Sequence, residues 1–131
     1  MSKILEVTFP GDKRVDAHAN GFNILTDQSE KNGGGGTAPE PFTLFLASLA
    51  TCAGIYAVEF CRARKIDMTG MSLRMICDYD PEVKRYTRMT IDLTLPAGFP
   101  EKYRSGIIRS MDLCTVKRHM LDPPEFSIEV H

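Results

Sequence analysis

The chain has 131 residues, 43% hydrophobic and 25% charged, with sixteen Lys and Arg against seventeen Asp and Glu for a formal net charge of −1. That length is expected to form a single domain, 1–131, with a core of its own, and the composition excludes intrinsic disorder, a coiled coil and a disulfide-stapled miniprotein. With no global basic excess, neither a nucleic-acid nor a membrane partner is expected.

The N-terminus lacks the basic segment, apolar stretch and small-residue cleavage site of an export signal, so a cytoplasmic location is expected. Structural disulfides are rare in that reducing compartment, which leaves Cys52, Cys61, Cys77 and Cys114 as free thiols. No CxxC pair occurs and the three histidines lie far apart, so neither a metal nor another cofactor is expected.

Residues 3–27 read as a small β-meander. Leu5, Val7 and Phe9 alternate with polar residues, Pro10-Gly11-Asp12 turns the chain, Arg14 to Ala19 alternates again, and Asn20-Gly21 marks a tight hairpin before Phe22 to Leu25. The unbroken glycine run from Gly33 to Gly36 lacks the lysine and hydroxyl residue of a phosphate loop; composition favours a flexible connector.

Pro39 and Pro41 open a long helix predicted to run to Lys65. Phe42 to Val58 carries no charge and falls just short of a membrane span, and its Thr43, Ser48, Thr51 and Gly54 suit a buried helix better. Apolar nearly all round, it reads as a central element covered on several sides, with a second subunit helping to cover it.

Met71 to Tyr79 and Tyr86 to Leu95 are the next strands, joined by a turn at Asp80-Pro81-Glu82; the second alternates cleanly, as a half-buried antiparallel strand does. An amphipathic helix is expected over 100–111, a short one from Leu113 to Leu121 ended by Pro123-Pro124, and a final strand through Phe126, Ile128 and Val130. Because the helices do not alternate regularly with strands, the fold class is α+β.

Two cysteines stand out. Cys52 lies mid-helix among Ala47, Ser48, Ala50, Thr51, Ala53 and Gly54, side chains small enough for another element to approach closely. Cys114 lies at the start of the short helix after Asp112, a candidate N-cap, where the helix dipole with Lys117 and Arg118 would favour a thiolate. Both also fit small buried hydrophobes, the commonest fate of a free cysteine. Cys61, nine positions from Cys52, is turned to the opposite helix face, and Cys77 shares strand parity with Met71, Leu73 and Met75, which suits packing. Tyr56, one turn after Cys52, suits either a pocket wall or packing against a partner subunit.

The stretch from Gly33 through Thr37-Ala38-Pro39-Glu40-Pro41 to Cys52, followed sixty-two positions later by Cys114-Thr-Val-Lys117, resembles the OsmC/Ohr family of osmotically inducible and organic-hydroperoxide-resistance proteins. The element order matches over essentially the whole chain. The resemblance implies an intertwined homodimer in which curved antiparallel sheets wrap a long central helix and two active sites lie at the dimer interface. It implies thiol-dependent reduction of organic hydroperoxides or hydrogen peroxide in oxidative stress defence, with an external thiol or dithiol as reductant. On it, Cys52 matches the peroxidatic cysteine, Cys114 the resolving one, and Arg14 the arginine that reaches the first; a solvated strand arginine is the plainer reading of Arg14.

One position departs from the pattern. Phe42 stands ten residues before Cys52, where the best-known peroxidases of the family have a glutamate that orients the arginine. Glu40 and Glu59 are the carboxylates that might take that part, and each also fits a surface glutamate. The alternatives to a peroxidase are a non-catalytic dimer binding a small apolar or thiol-containing ligand in the interface pocket, and a purely structural dimer.

Overall fold

The structure is a computed structural model that describes all residues, 1–131. Its elements run β1 (Glu6–Gly11), β2 (Arg14–Ala19), β3 (Phe22–Ile24), α1 (Pro41–Ala63), β4 (Ser72–Asp80), β5 (Arg85–Thr94), α2 (Arg104–Asp112) and α3 (Thr115–Leu121), with 3-10 turns at Glu30–Asn32 and Glu101–Tyr103. All strand pairs are antiparallel, as expected for an α+β chain. By compactness the chain divides into two units, Met1–Ala47 and Ser48–His131.

In the first unit β1, β2 and β3 form a meander in that order. The hairpin at Asn20-Gly21 forms because both residues adopt positive φ, 54° and 78°, which matches the twist of the strands it joins. Cross-strand register aligns Val7 with Ala17 and Ala17 with Ile24. These share one apolar face with Ala19 and Phe22, yet Val7 and Phe22 remain 49% and 72% exposed. On the polar face His18 sits between Thr8 and Asn23, hydrogen-bonded at 2.9 and 2.7 Å.

The glycine run is not a loose connector. The carboxylate of Asp27, 1% exposed, accepts from the Thr37 hydroxyl at 2.6 Å, the Thr37 amide at 3.1 Å and the Gln28 amide at 2.7 Å. These bonds, with one from the Gly35 amide, hold the carboxyl down at about 2 against an ordinary 3.8. The loop folds so closely on itself that a Cβ at Gly34 would lie 2.1 Å from the Gln28 carbonyl oxygen. The glycines are there for close approach, and the anion that their loop cradles is the chain's own. The Asp27 amide donates to the Pro39 carbonyl at 3.2 Å, tying the loop to the approach to α1.

The second unit holds the core. Ala57, Phe60 and Cys61 of α1 close on Ile107 of α2, flanked by Leu93, Leu95, Phe99 and Tyr103. Gly106 lets the helices meet: a Cβ there would stand 3.1 Å from the Phe60 ring. The Arg64 guanidinium stacks 3.6 Å from the centre of that ring, and Tyr103 meets it edge-on with centroids 6.0 Å apart. Helix α1 is long and apolar enough to cross a membrane by length and composition alone. Its buried residues, Leu49, Ala53, Ala57, Phe60 and Cys61, recur at helical spacing as one stripe, the signature of a core helix. Burial on one stripe, with Phe42 and Ile55 about half exposed, is less than the covering on several sides that its composition suggests.

Two sequence expectations change in detail. The helix expected over 100–111 begins as a 3-10 turn after Pro100 and becomes α-helical at Arg104. The final strand does not form: Phe126, Ile128 and Val130, all at least 87% exposed, pair with neither sheet, although β4 and β5 bond only to each other.

Asp27 is held below its ordinary pKa, so its stabilising contribution is present above about 3.8 and lost as pH falls through about 2. In Asp27→Asn the urea midpoint is expected to be lower at neutral pH, and the gap to wild type to close as pH falls from about 4 to 2. Ile107, 1% exposed, is expected to cost about 3 kcal/mol when cut to alanine, read from the same urea transitions.

Candidate functional site

The site is built where α1 and α3 touch, inside the second unit. On α1, Cys52 and Tyr56 are one turn apart and flank the buried stripe, so their side chains leave the helix beside the core. The Tyr56 hydroxyl is 3.1 Å from the Thr115 hydroxyl, which fixes the first turn of α3 over this edge of α1. Helix α2 ends at Asp112 with Leu113 as its C-cap, and Cys114 becomes the N-cap of α3, its carbonyl accepting from the Arg118 amide at 3.0 Å. Asp112, the expected cap, is instead the last residue of α2, ion-paired with Lys117.

No side chain caps α3. Its first amides, on Thr115 and Val116, point at the sulfur of Cys52. Burial pushes the Cys52 thiol up, but the Val116 amide, the Cys114 thiol, the Thr115 amide and the charge of Arg118 together outweigh it, and its pKa falls below the ordinary value. Cys114 goes the other way. Only 2% exposed, it is pushed up chiefly by burial and further by the neighbouring Cys52, against the opposing pull of the Lys117 and Val116 amides.

The structure therefore brings together the two cysteines singled out in the sequence and reverses their electrostatics. The dipole of α3 lowers Cys52, delivered from another helix, and leaves Cys114, its own N-cap, neutral. Arg118 acts on Cys52, while Lys117 is engaged by Asp112. Tyr56, which the sequence left between a pocket wall and subunit packing, bonds Thr115, and the amides of Thr115 and Val116 were not foreseen at all. The Cys-Thr-Val-Lys order gives no sign of them, since any residue type supplies an amide.

Arg14 opens β2 in the first unit, its guanidinium beside Gly11, where a Cβ would lie 3.6 Å from it. Glu59 is exposed on α1. Glu40 accepts from the Asn32 side chain at 3.0 Å, and Phe42 packs its ring 5.3 Å from that of Phe45. Cys61 is fully buried in the core, where burial raises its pKa, and Cys77 is half-buried in register with Met89. The His119 ring donates to the Thr115 carbonyl at 2.7 Å, within α3. Cys114 also lines an open-sided cleft of about 780 Å³ in the same unit, walled by α1, β4, β5, α2 and α3.

Residues 33–129 match the family profile described as OsmC-like protein. None of the curated protein sequences matches the chain. Among solved structures, an osmotic stress induced and detoxification response protein from Psychrobacter arcticus superposes with a TM-score of 0.75 at 25% identity, covering 90% of this chain and 87% of that one. An OsmC-like protein from Mycoplasma pneumoniae gives 0.72 at 14% identity, with 94% and 89% covered. An organic hydroperoxide resistance protein from Legionella pneumophila gives 0.59 at 17% identity, with 92% and 89% covered.

The amides of α3 and the Cys114 thiol both favour the Cys52 thiolate, so thiolate absorbance near 240 nm should titrate below the ordinary thiol range. Cys114→Ala, which deletes a donor, is expected to move that titration up, and Cys114→Ser, which keeps one, to move it less. Cys52→Ser should remove this component of the titration.

Proposed function

The chain belongs to the OsmC-like protein family, and on that premise we propose that it is a thiol-dependent peroxidase working as a homodimer, with Cys52 and Cys114 as its redox pair. The observation that carries this reading is the opposite poise of the two touching thiols, Cys52 held low and Cys114 held high.

The chemistry needs that asymmetry. The Cys52 thiolate attacks the terminal oxygen of a hydroperoxide, the O–O bond breaks, and the other oxygen takes a proton and leaves as an alcohol or water. Cys114, protonated until then, gives up its proton as its sulfur attacks the resulting sulfenic acid; the S–O bond breaks, the hydroxide takes that proton and leaves as water, and a disulfide closes. An external dithiol then returns both thiols by exchange. The amides at the start of α3, which favour the thiolate, are fixed dipoles that need no rearrangement as charge moves onto oxygen. Arg14 is the guanidinium assigned to the departing oxygen on this reading. With Glu40 engaged by Asn32, Glu59 is the carboxylate left to orient it.

A second copy is supported by surfaces that one chain leaves bare. The apolar face of the β1–β3 sheet, the outer side of α1 and the alternating tail through Phe126, Ile128 and Val130 all remain exposed. The Legionella protein's name as an organic hydroperoxide resistance protein supports the substrate class.

The test is hydroperoxide consumption with dithiothreitol. Wild type should turn over, Cys52→Ser should fall to the uncatalysed background, and Cys114→Ser should complete about one turnover and hold a sulfenic acid that dimedone traps. Undiminished consumption by Cys52→Ser would remove Cys52 from the chemistry and favour the ligand-binding reading.

A further inference from the structure

The cleft beside Cys114 has a mainly aliphatic wall, into which methionines from four different elements are set. Four of the seven methionines line it, Met75 from β4, Met89 from β5, Met111 from α2 and Met120 from α3. Met68 and Met71 pack instead against the closed core cluster, which Met111 also touches. Methionine adapts to irregular space better than leucine or isoleucine does, and here four elements each send one to the same open space beside Cys114. What distinguishes methionine from leucine chemically is a sulfur lone pair that accepts oxygen from a peroxide.

We propose that this cleft is a second oxidation site, at which an organic hydroperoxide transfers oxygen to methionine. The apolar body of the hydroperoxide lies against the Leu, Ile and Met side chains of the wall, with its O–O group at a thioether. The O–O bond breaks, the terminal oxygen becomes bonded to sulfur as a sulfoxide, and its proton passes to the other oxygen, which leaves as the alcohol. Sulfur gives up the two electrons that the peroxide gains, so the step needs no other reductant. A thiolate is the stronger nucleophile, so the thioethers take oxygen arriving in excess of what the thiols consume. Each sulfoxide places a polar S=O in the wall that holds Cys114, and an apolar hydroperoxide then fits that wall less well. The oxygen acceptors are sulfurs other than those of Cys52 and Cys114, so oxygen transfer here does not require the thiols to cycle.

The experiment treats the full chain, and a Cys52→Ser, Cys114→Ser variant, with cumene hydroperoxide or with hydrogen peroxide, and follows sulfoxide at each methionine by peptide mass spectrometry. Solvent exposure alone puts Met1 and Met120, 127% and 46% exposed, first and treats the half-buried Met68, Met71, Met75, Met89 and Met111 alike. The proposal requires Met75, Met89 and Met111 to gain oxygen several-fold faster than Met68 and Met71 with cumene hydroperoxide, and that preference to shrink with hydrogen peroxide, which has no apolar body. Wild type with its thiols blocked by iodoacetamide gives the same reading if the double variant does not fold. Oxidation that follows exposure alone with both peroxides would overturn the proposal. Persistence of the preference in the double variant supports it even where wild type shows no thiol turnover, so the two readings fail separately.

Discussion

Sulfur is large, polarisable and poorly solvated inside a protein, and a thiol removed from water ordinarily keeps its proton. At Cys52 that tendency is overcome by dipoles that the backbone cannot withdraw, the first amides of α3, left without a capping side chain. The arrangement exists only because the helix breaks after Asp112 and restarts with Cys114 as its cap. A polar cap at that position would have claimed the amides for itself. The cysteine at 114 thus does two things: it leaves the helix start open, and it places a second sulfur against the first.

The surrounding contacts serve that geometry. Tyr56 and Thr115 bridge the two helices beside the thiols, and the pairing of Asp112 with Lys117 spans the break between α2 and α3. Gly106 and Phe60 set how closely α2 approaches α1, so the packing of the core fixes the level at which α3 meets Cys52. Each contact is modest taken singly. Together they place a helix start within hydrogen-bonding reach of a sulfur twelve residues into another helix.

Much of the fold is legible in the residues because strands and helices write their faces into a period. The alternation of Met89, Ile91 and Leu93 against Arg88, Thr90 and Asp92 locates β5, and Asn20-Gly21 locates its hairpin, since both signals are local. The failures share a cause, a partner outside the stretch being read. The order of the glycine run depends on Asp27, six residues before it, and a composition reading treats the run alone. The pattern Phe126, Ile128, Val130 states which face a strand would bury and says nothing about whether a ladder exists to receive it. The two cysteines could be picked out by their surroundings in the chain. Which of them would ionise could not, because a helix dipole acts on whatever lies in front of it, and that was a residue from sixty-two positions away.

The carboxylate of Asp27 reaches Thr37 across ten residues, and all of its hydrogen bonds fall inside that span. Closing so short a loop costs little chain entropy compared with bringing Cys114 to Cys52. The turn leading into α1 is therefore among the first parts of the chain able to reach native geometry, on the submicrosecond timescale of short-loop closure. Helix α1 then grows from an entrance already set, and the slower long-range contacts are made against a helix whose start no longer has to be searched for.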